Sequence, residues 1–409
     1  MEAILLAAGL GTRLSPLTDN RPKPLLEVAG RSILERTLSA LSDLGIKRVV
    51  TVVHTKKDAV IEHVLSLNLN LEISFVDQGE PKGTGHAAMV ALAEVKDDFV
   101  VINADILVSK ESLKDAVKLF MERDKETSAV IIGAEVENPM LYGVLMQEKD
   151  TLKQLVEKPS SLPDGINPLV NAGVYFFAKE TKELFSAIDK SPMGEYEIVW
   201  VLNKIISEEK KILVSRMEER WFDIGYPWHL LEANSHYLEK EAGSFEILGE
   251  VEEGARLLGS VHVAKGARVR SGAYIEGPVY IDEKADVGPN CYIRSGTYLG
   301  KATRVGNACE IKNSIFYHGT HAGHLSYVGD SILGVKCNLG AGTLTANLRH
   351  DGKNIKVSVK EERLSSGRRK LGVIMGDGVK TGINVSLLPG LKLSCNTMIS
   401  AGETVNRDR

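Results

Sequence analysis

From Val251 to Ile311 an aliphatic residue recurs at every sixth position: Val251, Leu257, Val263, Val269, Ile275, Ile281, Val287, Ile293, Leu299, Val305 and Ile311. Glycine recurs between them, and no helical period is visible. Self-similarity at so short a period marks a parallel β-helix, whose short strands form the sides of each coil and whose stacking sets the aliphatic residues in one inward column. The register breaks near Tyr317 and resumes at Val373, Val379, Val385 and Leu391. Such a stack serves either as an oligomerisation stalk or as the wall of a site, and the repeat alone does not choose between them.

Residues 2–230 follow a different grammar. Segment 3–8 reads as a buried strand, 33–44 as an amphipathic helix and 49–54 as the next strand. Segment 63–67 closes a second helix, 73–77 is a strand, 86–94 a helix and 99–103 a strand. This alternation implies parallel strands in an α/β sheet with helices on both faces. A helix at 227–242 carries the chain out of the sheet. With 409 residues the chain exceeds a single core, and the expected division is 1–228, a linker helix at 229–244, and the coils at 245–409.

Composition narrows the function. Hydrophobic residues make up 43% and charged residues 25%, the balance of a soluble globular chain. A net charge of −4, with no basic run beyond Arg368-Arg369-Lys370, argues against nucleic acid as the main partner. Local positive pockets remain open to small anions. No apolar stretch approaches a membrane span, and Met1 runs straight into a strand without room for a signal peptide. Four cysteines without a close pair fit a reducing compartment. Cys291 and Cys309 are eighteen residues apart and would stack on adjacent coils as reduced small hydrophobes. The expected location is the cytoplasm.

After the first strand comes Leu6-Ala7-Ala8-Gly9-Leu10-Gly11-Thr12-Arg13-Leu14, then Pro16 and Pro22-Lys23-Pro24. A Gly-rich turn after a strand exposes backbone N–H groups to phosphate oxygens. Leu14 replaces the third glycine of a dinucleotide fingerprint, and no Gly-Lys-Ser/Thr follows for a P-loop. Arg13 and Lys23 bring two cations, as a triphosphate requires. Further along stand Gln78, Gly83-Thr84-Gly85, Asn103-Ala104-Asp105, Tyr142-Gly143, Val156-Glu157-Lys158-Pro159, Asn171-Ala172-Gly173 and Trp221-Phe222-Asp223-Ile224-Gly225. This order resembles the nucleotidylyltransferases that activate sugar 1-phosphates, over most of residues 1–230.

That resemblance implies a Rossmann-like mixed sheet and a set of roles. Gly9, Gly11 and Thr12 would hold the triphosphate, and Gln78 and Gly83 would read the pyrimidine edge. Asp105 and Asp223 would coordinate Mg²⁺, a hard cation that prefers carboxylate oxygen. Lys158 would grip the sugar phosphate, while Gly143, Glu157 and Asn171 would bind hydroxyls or an acetamido group. The sugar phosphate attacks the α-phosphorus of a nucleoside triphosphate in line and pyrophosphate leaves. Both reactants are anions, so positive charge from the metal, Arg13, Lys23 and Lys158 lowers the barrier, and no general base is needed. Taken singly, Asp105 has a duller reading as a cap and Lys158 as a solvated surface lysine.

The six-residue repeat resembles the left-handed β-helix acyltransferases, in which three hexapeptides make one triangular coil. At the register break the chain reads Thr320-His321-Ala322-Gly323-His324-Leu325-Ser326-Tyr327-Val328-Gly329-Asp330, and continues through Asn338 to Asn347. This strip, from about Arg294 to Asp408, resembles the acetyltransferase half of the bacterial bifunctional enzymes that make UDP-N-acetylglucosamine. By that resemblance His324 is the general base that takes a proton from the sugar ammonium, a task suited to imidazole, and acetyl-CoA is the acyl donor. Arg294, Lys312 and Tyr327 would hold the sugar phosphate, with Asn338 and Asn347 at the sugar and the reacting acetyl group. Ser400 and Ala401 would line the CoA channel. His318, His321 and His324 are spaced by three, but without a helix that spacing does not gather three imidazoles on a metal.

Departures from the family pattern bear on the sugar more than on the reaction. Leu348-Arg349-His350-Asp351-Gly352 stands where the family has Tyr-Asp-Gly, which leaves the next phosphate-binding lysine between Lys353 and Lys356. Ile383 replaces a serine near the CoA site, and the chain stops at Arg409, short of the family's basic extension. The Trp221 to Gly225 segment looks more like the thymidylyltransferases, so UTP and dTTP both stay open as substrates. The hybrid resembles the archaeal bifunctional enzymes, and a homotrimer through the coils is the implied assembly. The alternatives are a monofunctional nucleotidylyltransferase with an assembly or regulatory stack, and a non-catalytic scaffold. Arg13, Lys23, Asp105 and Asp223 weigh against the last.

Overall fold

A computed structural model of the chain describes residues 1–162, 168–191 and 194–409. The chain forms two compact units, one made of Met1–Leu10 and Ile33–Asp223, the other of Gly11–Ser32 and Ile224–Arg409.

The first unit is built on a nine-stranded sheet. Its order is Glu72–Asp77, Arg48–Val53, Glu2–Leu6, Phe99–Asn103, Val170–Phe177, Thr127–Ala134, Lys211–Arg216, Thr151–Glu157 and Gly143–Glu148. The first four run parallel, as their alternation with helices implies. Val170–Phe177 then enters antiparallel between Phe99–Asn103 and Thr127–Ala134, so the sheet is mixed. Its central strands Arg48–Val53, Glu2–Leu6, Phe99–Asn103, Val170–Phe177 and Thr127–Ala134 are buried on both faces, which is why they read as continuous apolar runs rather than alternating ones. Helix Ile33–Asp43 buries Ile33, Leu34, Thr37, Leu38 and Leu41, one stripe at helical spacing. Helix Lys110–Met121 is capped by Ser109, whose Oγ accepts from Ser112 N at 3.1 Å.

In the second unit the coils form three parallel sheets of eight, eight and seven strands, the organisation of a parallel β-helix. Each turn places one strand in each sheet. Val251 pairs with Val269, Val269 with Val287 and Val287 with Val305; Leu257 with Ile275, Ile275 with Ile293 and Ile293 with Ile311. These residues fill one continuous core down the stack. Cys291 and Cys309 do stack: Tyr292 N donates to Cys309 O, and burial pushes both thiols up, Cys291 to about 12.

The register departs from the sequence reading at two places. Leu299 pairs with Phe316 and Val305 with Ala322, one residue short of the regular step. Beyond an excursion that carries the hairpin of Lys356–Val359 with Glu362–Ser365, Leu333 pairs with Met375 and Met375 with Leu393. The column therefore resumes at Met375, Thr381, Leu387 and Leu393. Val373, Val379, Val385 and Leu391 are buried too, but they fill the inward position two residues earlier. Among the described residues no helix is long and apolar enough to cross a membrane.

Candidate active sites

In the first unit the loop with Gly9 leaves the carboxyl end of Glu2–Leu6, a central strand of the parallel half, where open α/β sheets bind ligands. Gln78 follows the edge strand Glu72–Asp77, which lies beyond Arg48–Val53. Its Nε2 donates to Gly83 O at 3.2 Å and lies 3.3 Å from His86 Nδ1. Gly83 precedes helix Thr84–Ala91 with φ of +107°, and a Cβ there would lie 2.4 Å from Tyr196 O. Tyr196 N donates to Lys82 O at 2.8 Å and Gly85 N to Tyr196 O at 2.7 Å, so the loop is strapped at both ends. Gln78 and Gly83 are thereby joined in one turn.

Asp105 and Asp223 meet through a small antiparallel pairing in which Ile106 lies opposite Asp223 and Leu107 opposite Phe222. Two carboxylates at adjoining register positions are a hard-oxygen pair, and with phosphate and water oxygens they suit Mg²⁺. Near them lie two buried polar atoms with no hydrogen-bond partner among the described residues, Asn103 Oδ1 and Trp221 Nε1. Such orphaned groups are costly unless a ligand satisfies them. Trp221 also meets Tyr142 edge-on, with ring centroids 5.2 Å apart.

Gly143 faces Glu157 across the sheet edge. A Cβ at 143 would lie 2.6 Å from Glu157 Oε1, so only glycine lets that carboxylate lie over the strand. Glu157 is open to solvent on one side, yet the protein crowding its carboxyl, together with the charge of Glu197, raises its pKa against the opposing pull of Lys158. Glu197 is raised by burial and by Glu195, again opposed by Lys158. Asn171 Nδ2 donates to Tyr175 OH at 2.8 Å while its Oδ1 accepts from Gly173 N at 3.0 Å. Burial raises the Tyr175 phenol, and the charges of Glu157, Asp105 and Glu197 add to it. Glu157, Lys158, Asn171 and Asp105 therefore share one electrostatic neighbourhood. Glu197 belongs to it as well, and no motif around Glu195-Tyr196-Glu197 announces it.

Gly11, Thr12, Arg13 and Lys23 belong to the second unit. Gly11 has φ of +65°, and its carbonyl accepts from Thr18 Oγ1 at 2.9 Å. Lys23 is buried, with its Cβ against Gly11. The exposed Arg13 guanidinium lies 5.3 Å from the Tyr226 ring centroid.

On the coils, Lys312, Asn313 and Asn347 converge on one carboxylate. Asp330, 2% exposed, receives Lys312 Nζ at 3.2 Å, Asn313 Nδ2 at 2.7 Å and Asn347 Nδ2 at 2.6 Å. Asn347 Nδ2 also donates to Tyr327 OH at 3.1 Å. Burial raises the Tyr327 phenol, with Asp330 and Glu310 adding to it and Asn347 and Arg294 opposing. Arg294 pairs with Glu310 at 2.9 Å. Arg368 lies 4.0 Å from Asp330 and 3.5 Å from Glu232. The side chains of Lys353 and Lys356 are exposed.

His324 stands outside this network among the described residues, exposed on strand His321–His324 of a neighbouring sheet. Its carbonyl accepts from Ser326 Oγ at 2.8 Å. In that sheet the next strands upward hold Asn338, Lys380 and Met398, and Ser400 and Ala401 follow the last of these. Asp330 and Arg368 escaped the sequence reading. For Arg368 the signal in the sequence is the basic run Arg368-Arg369-Lys370.

Residues 2–240 match the nucleotidyl transferase family, and residues 275–388 match the GMPPB C-terminal domain family. A bifunctional protein GlmU of Methanocaldococcus jannaschii is 41% identical over 409 residues, covering 100% of this chain and 95% of that one. A bifunctional sugar-1-phosphate nucleotidylyltransferase/acetyltransferase of Sulfurisphaera tokodaii is 38% identical over 413 residues, covering 100% of this chain and 98% of the other. A UTP–glucose-1-phosphate uridylyltransferase of Haloferax volcanii is 31% identical over 247 residues, 60% of this chain and all of that one.

Proposed function

The chain belongs to the nucleotidyl transferase family and, within it, to the bifunctional GlmU proteins, and from that premise we propose that it acetylates glucosamine 1-phosphate and couples the product to UTP. The observation that carries this reading is the reach of the similarity. It runs through all 409 residues, including the strip with His324 and the Asp330 cluster, whereas the match to the uridylyltransferase covers 60% of the chain. A stalk has no use for a buried carboxylate gathering a lysine and two amides.

In the acetyl step, His324 takes a proton from the sugar ammonium, and the free amine attacks the thioester carbonyl of acetyl-CoA. The C–N bond forms, the C–S bond breaks, and the thiolate leaving group is protonated to CoA. Lys312, Tyr327 and Arg294 hold the sugar phosphate. Arg368 is the further cation there, in place of Lys353 or Lys356, because it faces the same carboxylate as Lys312. Asn338 and Asn347 orient the sugar and acetyl groups, and Ser400 and Ala401 line the path of CoA.

In the nucleotidyl step, a phosphate oxygen of the sugar attacks the α-phosphorus of UTP and pyrophosphate departs. Gly9, Gly11 and Thr12 offer backbone and hydroxyl donors to the triphosphate, and Arg13 and Lys23 its counter-charge. Gln78 and Gly83 read the base, a task for which their shared turn is suited. Lys158 takes the sugar phosphate, and Gly143, Glu157 and Asn171 the sugar. Asp105 and Asp223 would hold Mg²⁺, which when bound offsets the repulsion between the two anions. The modules are 1–228, a linker helix at 229–244 and a left-handed β-helix at 245–409, working in the cytoplasm as a homotrimer. Leu325, Leu344, Ile383 and Met398, large apolar side chains 60%, 48%, 57% and 74% exposed on the coils, support that assembly.

The test is a single reaction holding glucosamine 1-phosphate, acetyl-CoA, UTP and Mg²⁺, followed by mass spectrometry. UDP-N-acetylglucosamine is the expected product. UDP-sugar that forms only when N-acetylglucosamine 1-phosphate is supplied, with no CoA released, would favour the monofunctional reading.

A further inference from the structure

The loop that carries Arg13 and Lys23 is held by the coils. In strand Thr297–Leu299, Leu299 points inward, and the two-residue alternation turns Tyr298 outward. An outward tyrosine on a β-helix should meet water, yet Tyr298 and Tyr317 are each 1% exposed. Residues of Gly11–Ser32 cover them. The Tyr298 hydroxyl lies 2.8 Å from Glu27 Oε2 and 3.2 Å from Asp282 Oδ2, and Tyr317 OH donates to Glu27 O at 3.2 Å.

A second anchor sits higher on the stack. Arg21 Nη2 meets Asp377 Oδ1 at 2.6 Å, with side chains only 17% and 19% exposed, and the guanidinium lies 4.9 Å from the Tyr317 ring centroid. Asn20 Nδ2 reaches Asp377 Oδ2 at 3.3 Å, and Cys395 Sγ donates to Pro16 O at 3.6 Å. Asp377 is itself fixed by Val335 N at 2.8 Å. A third anchor is Asn234, fully buried, which accepts from Ala29 N at 3.0 Å and donates to Gly296 O at 2.9 Å. The short turn Lys23–Leu25 lies between these points, and Thr12–Leu14 immediately precedes the first of them at Pro16.

We infer that this outer face of the coils shapes the triphosphate-binding loop, so that Tyr298 and Asp377, in the acetyltransferase half of the sequence, are positioning residues for nucleotidyl transfer. Glu27 and Arg21 are their counterparts on the loop. The inference rests on the reading above that the loop takes the phosphates of a nucleoside triphosphate. Neither Tyr298 nor Asp377 touches a reacting atom. Each acts by fixing backbone that would otherwise sample many conformations, and a displacement of about 1 Å at such a loop costs up to about 100-fold in rate.

The experiment compares native enzyme with Tyr298→Phe, Asp377→Ala, Arg21→Ala and the double variant Arg21→Ala/Asp377→Ala. Pyrophosphate release from UTP with N-acetylglucosamine 1-phosphate, and CoA release from acetyl-CoA with glucosamine 1-phosphate, are followed side by side. kcat/KM for UTP should fall about 10- to 100-fold in each single variant. KM for N-acetylglucosamine 1-phosphate and the rate of CoA release should stay within about twofold, and the double variant should be no worse than its worse parent, since the two residues act through one contact. Nucleotidyl transfer within about twofold of native in every variant would overturn the inference. So would parallel loss of both activities, because the contacts would then only hold the fold. Arg13→Ala separates the underlying reading: full pyrophosphate release in that variant would refute the loop's role with the triphosphate, and the inference with it.

Discussion

Asn347 Nδ2 and Lys312 Nζ, thirty-five residues apart in the chain, share one carboxylate oxygen, Asp330 Oδ2, at 2.6 and 3.2 Å. Asp330 thereby sets where an amide and an ammonium point, two groups assigned to the acetyl-transfer site. Asp330→Asn keeps the shape but removes the charge that draws the lysine in. Acetyl transfer should fall about 100-fold from misplacement, with nucleotidyl transfer unchanged. Steady-state kinetics of both reactions check this, and equal loss of both would point to unfolding instead.

Glu157 carries a pKa raised by its surroundings, and the role proposed for it, accepting hydrogen bonds from sugar hydroxyls, calls for the ionised carboxylate. As pH falls through that raised value the carboxylate protonates and the acceptor is lost. KM for N-acetylglucosamine 1-phosphate in the uridylyl reaction should therefore climb on acidification, starting above the ordinary glutamate value of 4.5. In Glu157→Gln the KM should be high throughout and lack this limb. A native pH profile as flat as the variant's would remove Glu157 from the sugar site.

Gly83→Ala puts a side chain where φ is +107° and where Tyr196 O lies 2.4 Å from the new Cβ. Strain of about 1–3 kcal/mol is expected in urea unfolding. Because Gln78 is bonded to Gly83 O, the KM for UTP should rise as well. Unchanged stability with unchanged KM would mean that the turn adjusts freely.

Ile383, 57% exposed, belongs to the apolar residues assigned to the trimer. On the proposed trimer, Ile383→Asp puts a charge among these apolar side chains and should shift sedimentation velocity towards the monomer. A native protein that sediments as a monomer yet acetylates would contradict the assembly.

Much of this architecture was legible because it is repetitive or local. Val251 to Ile311 declare the coils, and Phe99 to Asn103 or Ile33 to Leu41 declare strand and helix by their burial pattern. The reading lost register where the step from Leu299 to Phe316 drops one residue, since a period has no memory of a deletion. Asp330 sat in a Gly-Asp turn with no sign that Lys312 and Asn347 would close on it. Arg368 reached that carboxylate only because the excursion after Asn347 folds back. Likewise Glu27 and Tyr298, separated by 271 positions, meet only once the loop lies on the coils. Side chains whose role depends on distant partners leave no local pattern, whereas those in a turn or a repeat do.

The most direct test of the account is CoA thiol release from acetyl-CoA with glucosamine 1-phosphate, for native enzyme and His324→Ala. Loss of a positioned general base should cost about 100- to 10,000-fold, with UTP-dependent pyrophosphate release left intact in the same preparation. Sugar-dependent thiol release that persists at the native rate without His324, or that never occurs in the native enzyme, would contradict acetyl transfer on the coils.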